Sequence, residues 1–188
     1  MATTAIERRH RFTVEEWQRM GDLGLFPPDY RGELIEGEIV DRAPIGTTHS
    51  GCVMWLNRFF AQRIDDDAIV SPQNPLRLGD ISQPEPDIVL LRPRDDFYRT
   101  RHPTPGDTLL AIEVADSSVR YDREVKAPLY ALYRITEYWL VDLPAQIVEV
   151  LRGPRPGGYQ EHLILRRGDT LSPQALSQIE LRIDEVLG

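Results

Sequence analysis

Leu109-Leu110-Ala111-Ile112-Glu113-Val114-Ala115 is an apolar run broken by one carboxylate. Four apolar residues in succession lead into Glu113, so the stretch reads as a buried strand with an acid deep inside it. A second run, Pro86-Asp87-Ile88-Val89-Leu90-Leu91, places Asp87 at the entrance of a strand that is apolar on both faces. Burying an unpaired carboxylate is costly, so each acid calls for an arginine, a set of backbone donors or a metal. At a strand entrance Asp87 also has the option of solvent. Glu113 has no such option, which makes it the stronger of the two candidates.

Working outward, Thr13-Val14-Glu15-Glu16 has the form of a capping box and predicts a helix from Val14. Gly32 to Asp41 predicts a tight hairpin turning at Glu36-Gly37. Val53, Leu56, Phe60 and Ile64 recur at helical spacing between Thr48 and Ile64, with Thr47 or Thr48 as cap and His49 in the first turn. Strands are expected at Ala68–Ser71, Pro75–Leu78, Asp87–Leu91 and Thr108–Ala115. A helix is expected from Tyr121 to Arg134, kinked or interrupted by Pro128, which cannot donate to the carbonyl of Glu124. Strands follow at Glu137–Val141, Ile147–Leu151 and His162–Leu165, and Ser177–Leu187 fits either a strand or a terminal helix. The order predicts a single α/β domain over residues 1–188, a mixed β-sheet flanked by helices rather than a strict βαβ repeat.

Among the 22 lysines and arginines of the chain, only Lys126 is a lysine. Basic positions have drifted to arginine, a change tolerated wherever only positive charge is needed. A position that keeps the compact ammonium is a candidate for chemistry that a guanidinium cannot fit. The plainer alternative is an Asp122–Lys126 pair at i, i+4, worth only about 0.3–0.5 kcal/mol. On a helix, Asp122, Lys126, Leu129, Tyr130 and Tyr133 share one face, which could lean on the end of the Glu113 strand. One ammonium would then meet two carboxylates, an arrangement suited to metal-assisted phosphodiester hydrolysis.

The net charge of −8 argues against indiscriminate polyanion binding. It is compatible with an acidic metal site whose ion reverses the local field. No apolar run is long enough for a membrane helix and the amino terminus lacks a signal-like apolar region, so a cytoplasmic protein without membrane partners is expected. Cys52, alone in an apolar stretch, reads as a core residue. The loop Arg92 to His102 interleaves four arginines with Phe97 and Tyr98, a pattern that suits either phosphate contact or an ordinary solvated loop.

Glu33-Leu34-Ile35-Glu36-Gly37-Glu38-Ile39-Val40, Pro86-Asp87-Ile88-Val89-Leu90 and Ile112-Glu113-Val114 form an ordered set. Ser117-Ser118, Asp122, Lys126, Tyr130 and Glu137-Tyr138-Trp139-Leu140-Val141-Asp142 continue it. The set resembles a large bacterial family of restriction-endonuclease-like proteins, formerly a domain of unknown function, which is similar to the PD-(D/E)XK nuclease superfamily. The resemblance runs from about Phe12 to Leu151 and implies a restriction-endonuclease-like core. It further implies Mg²⁺ or Mn²⁺ as cofactor, DNA as substrate, and Asp87, Glu113 and the carbonyl of Val114 as metal ligands. The superfamily lysine, two residues after the glutamate, is replaced here by Ala115, and the family supplies it from the following helix as Lys126. Glu33 matches an acid that joins the metal shell or hydrogen-bonds a metal-bound water. His49 matches a histidine open between substrate contact and helix capping, while Asp122 would orient Lys126 and Tyr130 pack beneath it. Duplex cleavage makes a two-fold dimer a natural arrangement. A module that keeps the fold but binds nucleic acid or protein without hydrolysis is the alternative reading.

Overall fold

A computed structural model describes residues 9–188. Its centre is a six-stranded sheet of order β3 (Ile69–Pro72), β4 (Ile88–Leu91), β5 (Thr108–Ala115), β6 (Glu137–Asp142), β7 (Ile147–Arg155) and β8 (Gly158–Leu165). Every pairing is antiparallel except β5 with β6. That one parallel pair requires a crossover, and the chain makes it with helical segments α3 (Val119–Tyr121), a π turn (Asp122–Lys126) and α4 (Ala127–Leu132). The mixed α/β class expected from the sequence is the one observed.

The apolar residues sort onto two faces. Leu110, Ile112 and Val114 of β5 point into a core with α2 (Thr47–Ala61) and the terminal α5 (Ile183–Leu187). Ala111 and Ala115 point the other way, beneath Leu129 and Tyr130 of α4. Period-two alternation therefore puts Glu113 on the α4 side, between two alanines whose small side chains leave room above the strand.

The hairpin β1 (Gly32–Ile35) and β2 (Glu38–Asp41) lies outside the main sheet. Its turn residues have positive φ, 48° at Glu36 and 80° at Gly37, the signature of a type I′ turn. Gly37 is needed for a second reason: a Cβ there would sit 2.5 Å from that of Arg11. The Gly37 N–H donates to Ile81 and the Phe12 N–H to Gly37, which ties the hairpin to the neighbouring chain. Helix α1 (Val14–Asp22) begins with the expected reciprocal Thr13–Glu16 capping box.

Two local expectations need correction. Pro75–Leu78 is not a strand. Its Leu76 and Leu78 are buried, but their N–H groups bond only to Pro84 and Ser82 of the adjacent segment. Pro75, Pro84 and Pro86 remove the donors that a ladder would need. Helix α2 is capped by Gly46 rather than by Thr47 or Thr48, which places His49 in its first turn. The crossover helix is interrupted, as Pro128 predicts, but by a π turn ahead of the proline rather than by a break at it. The Ala127 N–H reaches back five residues to Asp122, and the wider π turn absorbs the misfit before α4 resumes with Pro128 in its first turn. Leu181–Arg182 forms a short strand (β10, paired with β9, Thr170–Leu171) and Ile183–Leu187 a helix, so both readings of the tail apply to successive residues.

Candidate active site

The carboxyl end of β5 and the amino end of β4 lie side by side, because Ile88 pairs with Ile112. Asp87 stands just before β4, so Val114 lies beyond the reach of that strand's backbone. Its N–H donates instead to the Asp87 side chain, at 2.9 Å from Oδ2. Nε2 of His49 lies 3.1 Å from the same oxygen, and Gln73 Nε2 donates to Oδ1 at 3.1 Å. Burial would raise the Asp87 pKa, but His49, the Val114 N–H and Gln73 outweigh it and hold the carboxylate below its ordinary value.

Lys126 is enclosed. Its Nζ lies 2.9 Å from Glu33 Oε2 and 3.0 Å from Glu113 Oε1, and only 5% of the side chain is exposed. Asp122, the partner suggested by i, i+4 spacing, is the loosest of the three at 3.8 Å. Asp122 is itself bound by Ser118, whose hydroxyl donates to Oδ2 at 2.6 Å. Burial opposes the ammonium, yet Glu113, Glu33 and Asp122 together push the Lys126 pKa above the usual lysine value. Lys126 is therefore a permanent cation.

Glu113 receives the Tyr130 hydroxyl as well as Lys126. Both bonds fall on Oε1, at 2.7 and 3.0 Å, which leaves Oε2 without a donor among the described residues. Burial pushes the Glu113 pKa up to about 8; Lys126 opposes that rise, and Asp122, Asp87 and Glu33 add to it. Burial likewise raises Asp122, against the pull of Lys126. Four buried carboxylates share this region with two cations, Lys126 and Arg42. Burial, together with the excess of carboxylates over cations in this group, accounts for the upward shifts of Glu113 and Asp122.

These residues line a cleft of about 370 Å³ between the end of β2, the first turn of α2 and the start of the crossover. Among the described residues no three His, Cys, Asp or Glu side chains converge as a ready-made metal cage. Mg²⁺ does not require one, since it keeps several waters and takes one or two carboxylates. Asp87 and Glu113 supply hard oxygen donors, and the open Oε2 of Glu113 fits that demand.

The family described as "Putative restriction endonuclease" (Uma2) matches residues 14–184. The chain belongs to this family. The Uma2 match continues past Leu151 through the β9–β10 pair and into α5, which packs on α2. A solved structure titled a putative nuclease of the DUF820 group, from Anabaena variabilis, has the same fold at a TM-score of 0.66 and 21% identity. The alignment covers 94% of this chain and 97% of that one. No curated protein matches the chain.

The structure thus brings Glu33, His49, Asp87, Glu113, Val114, Asp122 and Lys126 to one cleft, with Tyr130 directly behind Glu113. The arginine loop is not among them. It joins the far ends of β4 and β5, opposite the cleft, and two of its arginines are engaged within the loop. Arg94 bonds Asp96 and Thr100, and Arg101 grips Asp107 with two nitrogens. Sequence reasoning overlooked Arg42, Gln73 and Glu85. Gln73 and Glu85 come from irregular segments, and Arg42 is one arginine among many.

Proposed function

We propose that the chain is a divalent-metal-dependent endonuclease that hydrolyses DNA phosphodiester bonds. The observation that carries this reading is Lys126: the one lysine, held at 3.0 Å from Glu113 in a cleft that also holds Asp87. Asp87 and Glu113, with the Val114 carbonyl, would hold Mg²⁺ or Mn²⁺. Such an ion, when bound, polarises the phosphate and acidifies water.

The protein's own groups do the rest. Lys126 has three N–H donors. Two are directed at Glu33 and Glu113, and the third is free to orient an attacking water or to stabilise charge developing on the phosphate. Tyr130 fixes the Glu113 oxygen that Lys126 uses, and the Val114 N–H, His49 and Gln73 fix the plane of Asp87. Duplex cleavage by this site further suggests a two-fold dimer, one copy per strand, to be checked by light scattering.

Incubating the purified protein with supercoiled and single-stranded DNA in millimolar Mg²⁺ or Mn²⁺ tests the reading. Cleavage that disappears in Glu113→Gln supports it. Absence of cleavage by the wild type in either metal sinks it. Because a fold does not by itself fix an activity, the second reading is a module that keeps this fold and binds nucleic acid or protein without hydrolysis. DNA retention without cleavage would select that reading.

A further inference from the structure

Arg42 follows β2 directly and lines the cleft beside Asp87 and Lys126. Its backbone is fixed, since its N–H donates to the Arg31 carbonyl at 3.0 Å. Its guanidinium is placed quite differently from the Lys126 ammonium. The three nitrogens address three separate carboxylates: Nε to Glu33 at 3.8 Å, Nη1 to Glu85 at 3.4 Å and Nη2 to Asp87 at 3.5 Å. None of these contacts is bidentate, and all are longer than the usual charge-assisted bond. The fork that a guanidinium presents to a carboxylate or phosphate is therefore unused.

The cleft it faces is acidic. Glu33, Asp41, Asp87, Glu113, Asp116 and Asp122 line it, against Lys126 and Arg42 as the only permanent cations among the described residues. A phosphodiester entering this space meets repulsion unless positive charge is free to receive it. Two of the three Lys126 donors are committed to Glu33 and Glu113 at 2.9–3.0 Å, which leaves a single N–H and no fork to receive a phosphate. Arg42 is the cation whose contacts are loose enough to exchange.

We propose that Arg42 is the phosphate ligand of the cleft. Its guanidinium, shared loosely among Glu33, Glu85 and Asp87, would turn to a substrate phosphate once a divalent cation neutralised Asp87. The same guanidinium thus stands in for the ion before binding and recognises the anionic substrate afterwards. This inference rests on the proposed nuclease reading and adds to it the residue that receives the backbone phosphate.

The test is the affinity of wild type, Arg42→Lys and Arg42→Ala for a short fluorescent DNA duplex, measured by anisotropy across a salt series in millimolar Mg²⁺. Mg²⁺ binding without DNA is followed in parallel by calorimetry. Arg42→Lys keeps the charge that Glu33, Glu85 and Asp87 require, so it preserves the fold while removing the fork. We expect DNA affinity to fall about tenfold in Arg42→Lys and further in Arg42→Ala. The salt slope of Arg42→Ala should drop by about one. Mg²⁺ affinity should be unchanged in Arg42→Lys and increased in Arg42→Ala, because the competing cation is gone. Wild-type DNA binding with both variants unchanged in affinity and slope would overturn the role of Arg42 and leave the nuclease reading intact. Failure of the wild type to bind or cleave DNA in Mg²⁺ would overturn both.

Discussion

The Lys126 ammonium and the Glu113 carboxylate meet at 3.0 Å, one from the crossover and one from the strand that the crossover leaves. Glu33, from a hairpin outside the main sheet, completes the contact at 2.9 Å. Three separately folded pieces thus converge on one buried charge.

Removing that charge should be felt in both stability and activity. Lys126→Ala leaves Glu33 and Glu113 buried without their counter-ion and is expected to cost about 3–5 kcal/mol by urea unfolding. Lys126→Met keeps the volume and should cost less, yet should be equally inactive. DNA cleavage persisting in Lys126→Met would remove Lys126 from the chemistry.

Metal should stabilise the folded protein through Glu113 and Asp87. Millimolar Mg²⁺ or Mn²⁺ is expected to raise the wild-type melting temperature, by about 2.7 kcal/mol of stability if the ion is a hundredfold above its Kd. Glu113→Gln should abolish most of this rise. A wild-type melting curve indifferent to both ions is the contrary result.

The raised Glu113 pKa has a consequence for pH dependence in the absence of metal. A folded-state carboxyl displaced upward favours the protonated form, so its contribution is present below the unfolded pKa near 4.5 and is lost as pH rises through about 8. Each pH unit of displacement corresponds to about 1.4 kcal/mol. Glu113→Gln cannot ionise, so its stability relative to wild type should improve steadily from about pH 5 to about pH 8. Urea unfolding of the two proteins across this range checks the sign, and a constant difference would contradict it.

Arg123 anchors the other end of the π turn. It bonds Asp142 at 2.8 Å and grips Glu149, both buried acids, and His162 approaches Glu149 from β8 at 2.7 Å. Arg123→Ala should cost about 1–3 kcal/mol, less than loss of Lys126, because the guanidinium is partly solvated. Chemical denaturation measures the cost. A variant as stable as wild type would show that the clamp is dispensable.

How far the molecule could be read from its sequence depended on the range of the interaction. The hairpin was legible because Glu36-Gly37 carries its own turn chemistry, and the first helix because Thr13 and Glu16 cap each other. Glu113 was legible as an acid where the pattern demanded a hydrophobe. The false strand at Pro75–Leu78 had the right apolar residues, but its ladder depended on a partner segment made donor-poor by Pro84 and Pro86. The π turn was hidden because Pro128 announces a misfit without saying how the preceding residues absorb it. Arg42 was hidden more completely: nothing local separates it from other arginines, and two of its three carboxylates, Glu85 and Asp87, come from a distant segment.

The single parallel pair of the sheet carries one more implication. Antiparallel neighbours can be joined by a turn of any convenient length, so most connections in this chain are free to lengthen or shrink. The β5–β6 connection has no such freedom, since it must travel back along the sheet before β6 can start. Lys126 rides on that connection. A length change there would shift the one lysine along the strand ends, and the first symptom would be a buried charge without its partner rather than a frayed loop.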